Sequence, residues 1–220
     1  MKIKNNVFFK IFLCFTFLAM YPMLVFSYIF ANGSGGGYQT GEENLNGAAN
    51  GMEALVIRGA NEYLQAYADT LVFLRQMEMQ PLQGIDYAGC RDILTGSLSH
   101  LHRAMETYRL LIRQAEATPY NTAVLMRLRD FDYKGFMERN GFDGVIIEKV
   151  KAQLLGGDIT GFYRMIYSRM DQTRSLIAKV TGDVSQNKLP PVITLWQLNR
   201  MYYNTLRAGQ FVAMVFGTIN

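Results

Sequence analysis

LTGSLSHLHRAMETYRLLIRQA, residues 94–115, is the stretch that decides the fold. Its apolar residues fall at Leu94, Leu98, Leu101, Met105, Tyr108, Ile112 and Ala115, steps of three and four that line one side of an α-helix. Asp86 is the candidate N-cap of this helix, and Thr118-Pro119 closes it.

The same spacing recurs on either side. Ala60, Leu64, Tyr67, Leu71 and Leu74 form an earlier row, stopped at Gln80-Pro81 because proline disfavours helical geometry in the residue before it. Asp158 restarts the chain into a row of Phe162, Ile166, Met170, Thr173, Ile177 and Val180, predicted to end near Gly182. The prolines of VSQNKLPP open a last helix whose row is Val192, Leu195, Asn199, Tyr202, Leu206, Gly209, Ala213 and Phe216. Residues 121–157 are less regular: short helices are expected over 121–130 and 145–155, with DFDYKGFMERNGFDG as an irregular link. No segment alternates with period two, so the prediction is an all-α antiparallel four-helix bundle over residues 45–220, carrying a short helical insertion at 121–157.

Working outward to the N-terminus, MKIKNNVFFK is basic, and the chain from Ile11 to Ala31 carries no charge. This reads as an export element over residues 1–31 in either of two forms. A signal peptide would be cut after Ser27 or Ala31, where small residues follow Pro22; an uncleaved signal anchor would use the same run to cross a bilayer. A lipidated Cys14 is excluded by Leu13 before it and by its place in mid-run. Residues 32–44 hold Gly33, Ser34, Gly35, Gly36 and Gly37, too polar and entropic for a core, and read as a flexible spacer. Both forms place the body outside the cytoplasm, periplasmic or secreted, with membrane contact only through an uncut N-terminus.

The formal charge of +4 is concentrated in the export element. Lys2, Lys4 and Lys10 are 3 of the 22 basic residues and precede the glycines, whereas all 18 acidic residues follow, leaving 19 basic against 18 acidic. Such a body offers no field for phosphate, and a nucleic-acid partner is not expected. Cys90 is the body's single cysteine, so no internal disulfide forms and stability rests on packing.

Reactive groups do not assemble along the sequence. His100 and His102 are about 200° apart on a helix, with His102 expected beside the core and His100 facing outward. Met77 and Met79 suggest a soft-metal site for copper, yet their spacing also separates them, and methionine fills core gaps. Asp130 and Asp132 begin a calcium-like loop that Lys134 and Gly141 spoil. Cys90 lacks a nearby base and reads as an inert buried thiol, with an intermolecular bridge as the minor alternative. No catalytic residue, metal ligand or cofactor is assigned.

One surface candidate remains. Trp196, Arg200, Tyr203, Arg207, Phe211, Met214 and Val215 interleave aromatic, cationic and apolar residues on the last helix, which ends in a run broader than one helix face. That run is either the centre of the bundle or a contact face. Gly59, Gly96 and Gly209 stand at helix-facing positions, allowing close approach or a pocket lined by methionine and tyrosine. The functional expectation is an exported, non-enzymatic interaction or structural module that meets a protein partner or a second copy. A ligand-binding or sensor-like bundle is the alternative, and copper handling a third.

Overall fold

The computed structural model describes residues 51–79, 84–117, 132–188 and 191–216. The export element, the glycine spacer, the helix expected over 121–130, and Asp130 lie outside the described residues. Within them the chain is all-helical, with six helices and no strand. They are α1 (Gly51–Met79), α2 (Tyr87–Ala117), α3 (Tyr133–Arg139), α4 (Gly144–Leu155), α5 (Ile159–Ser185) and α6 (Pro191–Phe216).

Short polar side chains start these helices. Asp86 Oδ1 accepts from the Gly89 amide at 3.0 Å, Asp132 Oδ1 from Gly135 at 2.9 Å, and Asp158 Oδ1 from Gly161 at 2.7 Å. Each satisfies one of the orphan donors of a first turn and contributes about 1 kcal/mol. The ends are equally explicit. Phe142 N–H bonds back to Met137 O and Gly141 N–H to Glu138 O, with Gly141 at φ +64°, so α3 closes in a Schellman turn. A further left-handed residue, Gly157 at φ +74°, ends α4, and Asn187 at φ +53° ends α5.

These local signals correct two expectations. DFDYKGFMERNGFDG is not irregular: it contains α3, capped by Asp132 and anchored by buried Phe136 and Met137. Seven residues are too few to display a repeating row, which is why the sequence pattern hid it. Likewise α5 does not stop near Gly182 but runs to Ser185. Burying Val184, about 2 kcal/mol for such a side chain, outweighs the cost of about 1 kcal/mol for one helical glycine.

Helices α1 and α2 pack side by side in opposite directions. Moving up α1, Gly51 lies by Gln114, Gly59 by Tyr108, Glu62 by His100 and Gln76 by Cys90, so partner numbers fall as α1 numbers rise. Helix α2 also packs on α5, α5 on α6, and α6 on α1, which makes a closed circuit of the four long helices. The small pair α3 and α4 sits against this circuit through α4 on α5.

The core occupies the middle of that circuit. Every member of the α5 row predicted from sequence, from Phe162 to Val180, is buried. On α1 three members of the expected row, Ala60, Tyr67 and Leu74, are buried, while Leu64 and Leu71 are half-buried; Tyr63, Ala66, Thr70 and Phe73 go in as well. A helix touching two neighbours buries an arc wider than one stripe, so the leucines mark its edge. On α6 the expected row holds at Tyr202, Gly209 and Ala213, which are buried, but Asn199 is exposed; Leu198, Met201 and Thr205 take inward positions beside the row. The side chains of Val192, Leu195 and Phe216 lie outside the described set.

Candidate functional site

Helix α6 carries one face with two fates. Trp196, Arg200, Tyr203 and Arg207 lie within about 60° of one another around the axis, given 100° per residue. Toward the start of the helix this face is open. Trp196 is 62% exposed and Tyr203 50%, and the Arg200 guanidinium lies 5.2 Å from the centre of the Trp196 ring. That is a cation–π pair at a solvated site, holding the indole in a defined position.

One turn further on, the same face is covered by the chain's own insertion. Arg207 donates to Gly141 O at 2.7 Å and Asn140 O at 3.2 Å, and its guanidinium sits 4.0 Å from the Phe142 ring centre. Gln210 completes the latch, accepting from Arg207 and donating to Asn140 Oδ1. Phe142 then meets Phe211 edge-on at 5.0 Å. Burial pushes the Arg207 pKa down, and Arg169 nearby adds to this. Its charge is met by carbonyl oxygens and an aromatic face, which suits the planar guanidinium fork and would not suit lysine.

The seven residues proposed from sequence as one surface therefore separate. Phe211, Met214 and Val215 are in the core, because α1, α5 and the α3–α4 turn close around that half of α6. Arg207 is a half-buried latch. Trp196, Arg200 and Tyr203 reach solvent. Asn140, Phe142 and Gln210 were not picked out beforehand, and Gly141 only as a break in a calcium-like loop, although the Asn-Gly pair was a visible stop signal for a helix.

A second polar group lies on the α1–α2 seam. Glu62 Oε2 accepts from Arg103 Nε at 2.9 Å and lies 2.9 Å from His100 Nδ1. Burial pushes the Glu62 carboxyl up, but the hydrogen bonds and charges of His100 and Arg103 together outweigh it and hold the group below the usual carboxylate range. This reverses the expected placement of the histidines. His100 is half-buried in the seam, and His102 is exposed. The apolar row located the core side of α2 but did not tell which flank α1 would occupy.

The sign of the pH effect follows from that lowered value. Glu62 stabilises the fold above the carboxylate range of the unfolded chain, about pH 4.3, and the contribution is lost as pH falls through the lower folded value. In thermal melts, the Tm gap between the parent protein and Glu62→Gln is expected to be widest near neutral pH and to narrow below about pH 4. A gap independent of pH would contradict this assignment.

Cys90 is fully buried with Sγ 3.5 Å from Gln76 Oε1, and burial, aided by Asp86, pushes its thiol up, away from thiolate chemistry. Met77 packs against the core, and the Met79 side chain lies outside the described set. Asp132 spends its carboxylate on the α3 cap. Among the described residues no group of three or more His, Cys, Asp or Glu side chains is placed to hold a metal ion. None of their helices is long and apolar enough to cross a membrane.

The remaining polar feature is internal. Tyr63, Tyr67, Tyr108, Tyr163 and Tyr202 are all buried. Gly59 is where Tyr108 meets α1: an added Cβ there would stand 3.1 Å from its ring, so the glycine permits this close approach. Tyr63 reaches from α1 across to α6, its hydroxyl donating to Thr205 O at 2.6 Å. Gly209 and Thr173 stand beside it.

Among the described residues these features define an all-helical body with a polar-studded core and an open aromatic stripe. Comparison of the sequence with protein-family models, and of the chain with curated proteins and with solved structures, gives no match.

Proposed function

We propose that this chain is an exported, non-enzymatic antiparallel four-helix bundle that works by contact, using the open stripe on α6 to meet a protein partner or a second copy. The circuit of packing α1–α2–α5–α6, with α1 and α2 running in opposite directions, supports the bundle architecture. The basic and apolar residues 1–31 followed by the glycine spacer support export to the periplasm or beyond. The non-enzymatic reading draws on the structural roles of three groups singled out from sequence: Cys90 in the core, His100 with Glu62, Asp132 in a cap.

The observation that carries the proposal is the exposure of Trp196 and Tyr203 together on one face with Arg200 between them. Val72, Leu110, Val145 and Leu155 are exposed too, but they are aliphatic and spread over α1, α2 and α4. Tryptophan, tyrosine and arginine are the residues that dominate contact energies when enclosed by a partner.

Sedimentation velocity of the purified protein across a concentration series tests it. Self-association is expected, with Trp196→Ala weakening it by roughly 30-fold, the equivalent of about 2 kcal/mol. Tm should be unchanged, since the side chain is in solvent. A protein monomeric at all concentrations would require cross-linking at position 196 to recover a partner. Monomeric behaviour with no cross-linked partner refutes the proposal.

A further inference from the structure

Asparagine followed by glycine is prone to spontaneous deamidation, because glycine has no Cβ to shield its nitrogen from the neighbouring side-chain amide. Asn140-Gly141 is such a pair, at the turn between α3 and α4, and Gly141 is exposed to water. The reaction has definite needs. The Gly141 nitrogen must swing round to Cγ of Asn140, bond to it and give up its proton, while Nδ2 leaves as ammonia. Water then opens the cyclic imide at either carbonyl, leaving aspartate or isoaspartate.

The turn opposes each of these movements. Asn140 has ψ 11°, which aligns the Gly141 nitrogen with the backbone nitrogen of Asn140 and not with its side chain. Gly141 N–H is held on Glu138 O at 3.0 Å, and Phe142 N–H on Met137 O at 3.0 Å. The side-chain amide is held at both ends: Nδ2 donates to Phe136 O at 2.8 Å, and Oδ1 accepts from Gln210 Nε2 at 3.3 Å. Arg207 grips the carbonyls of Asn140 and Gly141, at 3.2 and 2.7 Å. Rotating ψ of Asn140 toward ring closure would pull its carbonyl off Arg207 and the Gly141 N–H off Glu138 together.

We infer that Asn140 is a latent deamidation site, kept unreactive by the grip of Arg207 and Gln210 from α6. This goes beyond the contact function and does not depend on it. Neither product can restore the turn. A carboxylate at position 140 has no proton to give Phe136 O, and isoaspartate adds a methylene to a backbone turn whose hydrogen bonds have fixed reach. Conversion at Asn140 is therefore a one-way release of the α3–α4 turn from α6, at a rate set by how often the latch opens.

The test ages the full-length protein in mildly alkaline buffer and follows conversion at Asn140 by peptide mapping and mass spectrometry, with the protein in guanidinium chloride as the reference for an open turn. The folded parent is expected to convert at least about tenfold more slowly than the unfolded reference. Arg207→Met should recover at least about tenfold, since each loss of about 1.4 kcal/mol from the closed turn multiplies its open population by ten. Gln210→Ala, which removes only the side-chain part of the grip, should accelerate conversion by roughly threefold, and it carries the decision if Arg207→Met does not fold. Leu101→Ala, a change in the core of α2, lowers overall stability without touching the turn and should leave the rate near that of the parent. A folded parent that converts as fast as the unfolded reference overturns the protection. No acceleration in the latch variants, or an equal acceleration in Leu101→Ala, overturns the role of Arg207 and Gln210.

Discussion

Phe211→Ala is expected to lower the unfolding free energy by about 3–5 kcal/mol, the usual cost of removing a fully enclosed aromatic side chain and leaving a cavity. The ring is 1% exposed and is gripped from two directions, by Phe142 at 5.0 Å and Phe162 at 6.3 Å, both in edge-on arrangements. It thereby ties α6 to α5 and to the turn between α3 and α4. Collapse of such a site is hindered because its walls come from three separate segments, which places the loss toward the upper end of the range. Urea unfolding followed by circular dichroism measures it; a loss below about 1 kcal/mol would mean that the residue faces a partner rather than the interior. Trp196→Ala, about 22 Å of helix away at 1.5 Å per residue, serves as the exposed reference on the same element.

Arg207→Met is expected to cost about 2–3 kcal/mol, although methionine keeps most of the apolar stem. What it loses is a charged donor to two backbone carbonyls and a cation over the Phe142 ring. Bonds to charged groups contribute roughly 1.5–3 kcal/mol, and the carbonyls of Asn140 and Gly141 would have to find water in their place. Arg207→Lys should recover only part of the loss, since one ammonium cannot fork to both oxygens and lie flat on a ring. The distinctive readout is local. Amide exchange should rise in α3 and the Asn140–Phe142 turn while α1 and α2 keep their protection. Uniform acceleration across all helices would instead show that Arg207 acts on global stability.

How far the chain could be read in advance varies from helix to helix for definite reasons. The α5 row was legible residue by residue because its apolar residues at steps of three and four fall at the centre of the arc that α5 buries, and all six residues from Phe162 to Val180 lie in the core. The α1 row was right at Ala60, Tyr67 and Leu74 but too narrow, because leucine marks hydrophobicity and not direction, so buried Tyr63, Ala66 and Thr70 were overlooked while Leu64 and Leu71 lie at the edge. The apolar run at the end of α6, Phe211 to Phe216, had two readings, and the choice between them depended on α3–α4 coming to rest there, which no spacing within α6 records. For the same reason Arg207 looked like a surface cation. His100 and His102 were exchanged because a single row fixes the inward side of a helix but not which flank receives a neighbour.

The bond from Tyr63 to Thr205 spans 142 residues, whereas the α1–α2 contacts join positions as near as Gln76 and Cys90. Assembly is therefore uneven in time: the first two helices meet soon after both exist, but the circuit stays open until α6 arrives. Until then one edge of the early hairpin, with the Tyr63 phenol on it, has no cover. That interval is the stage of biogenesis at which the chain is most open to wrong associations, and an escort protein would be needed there if anywhere.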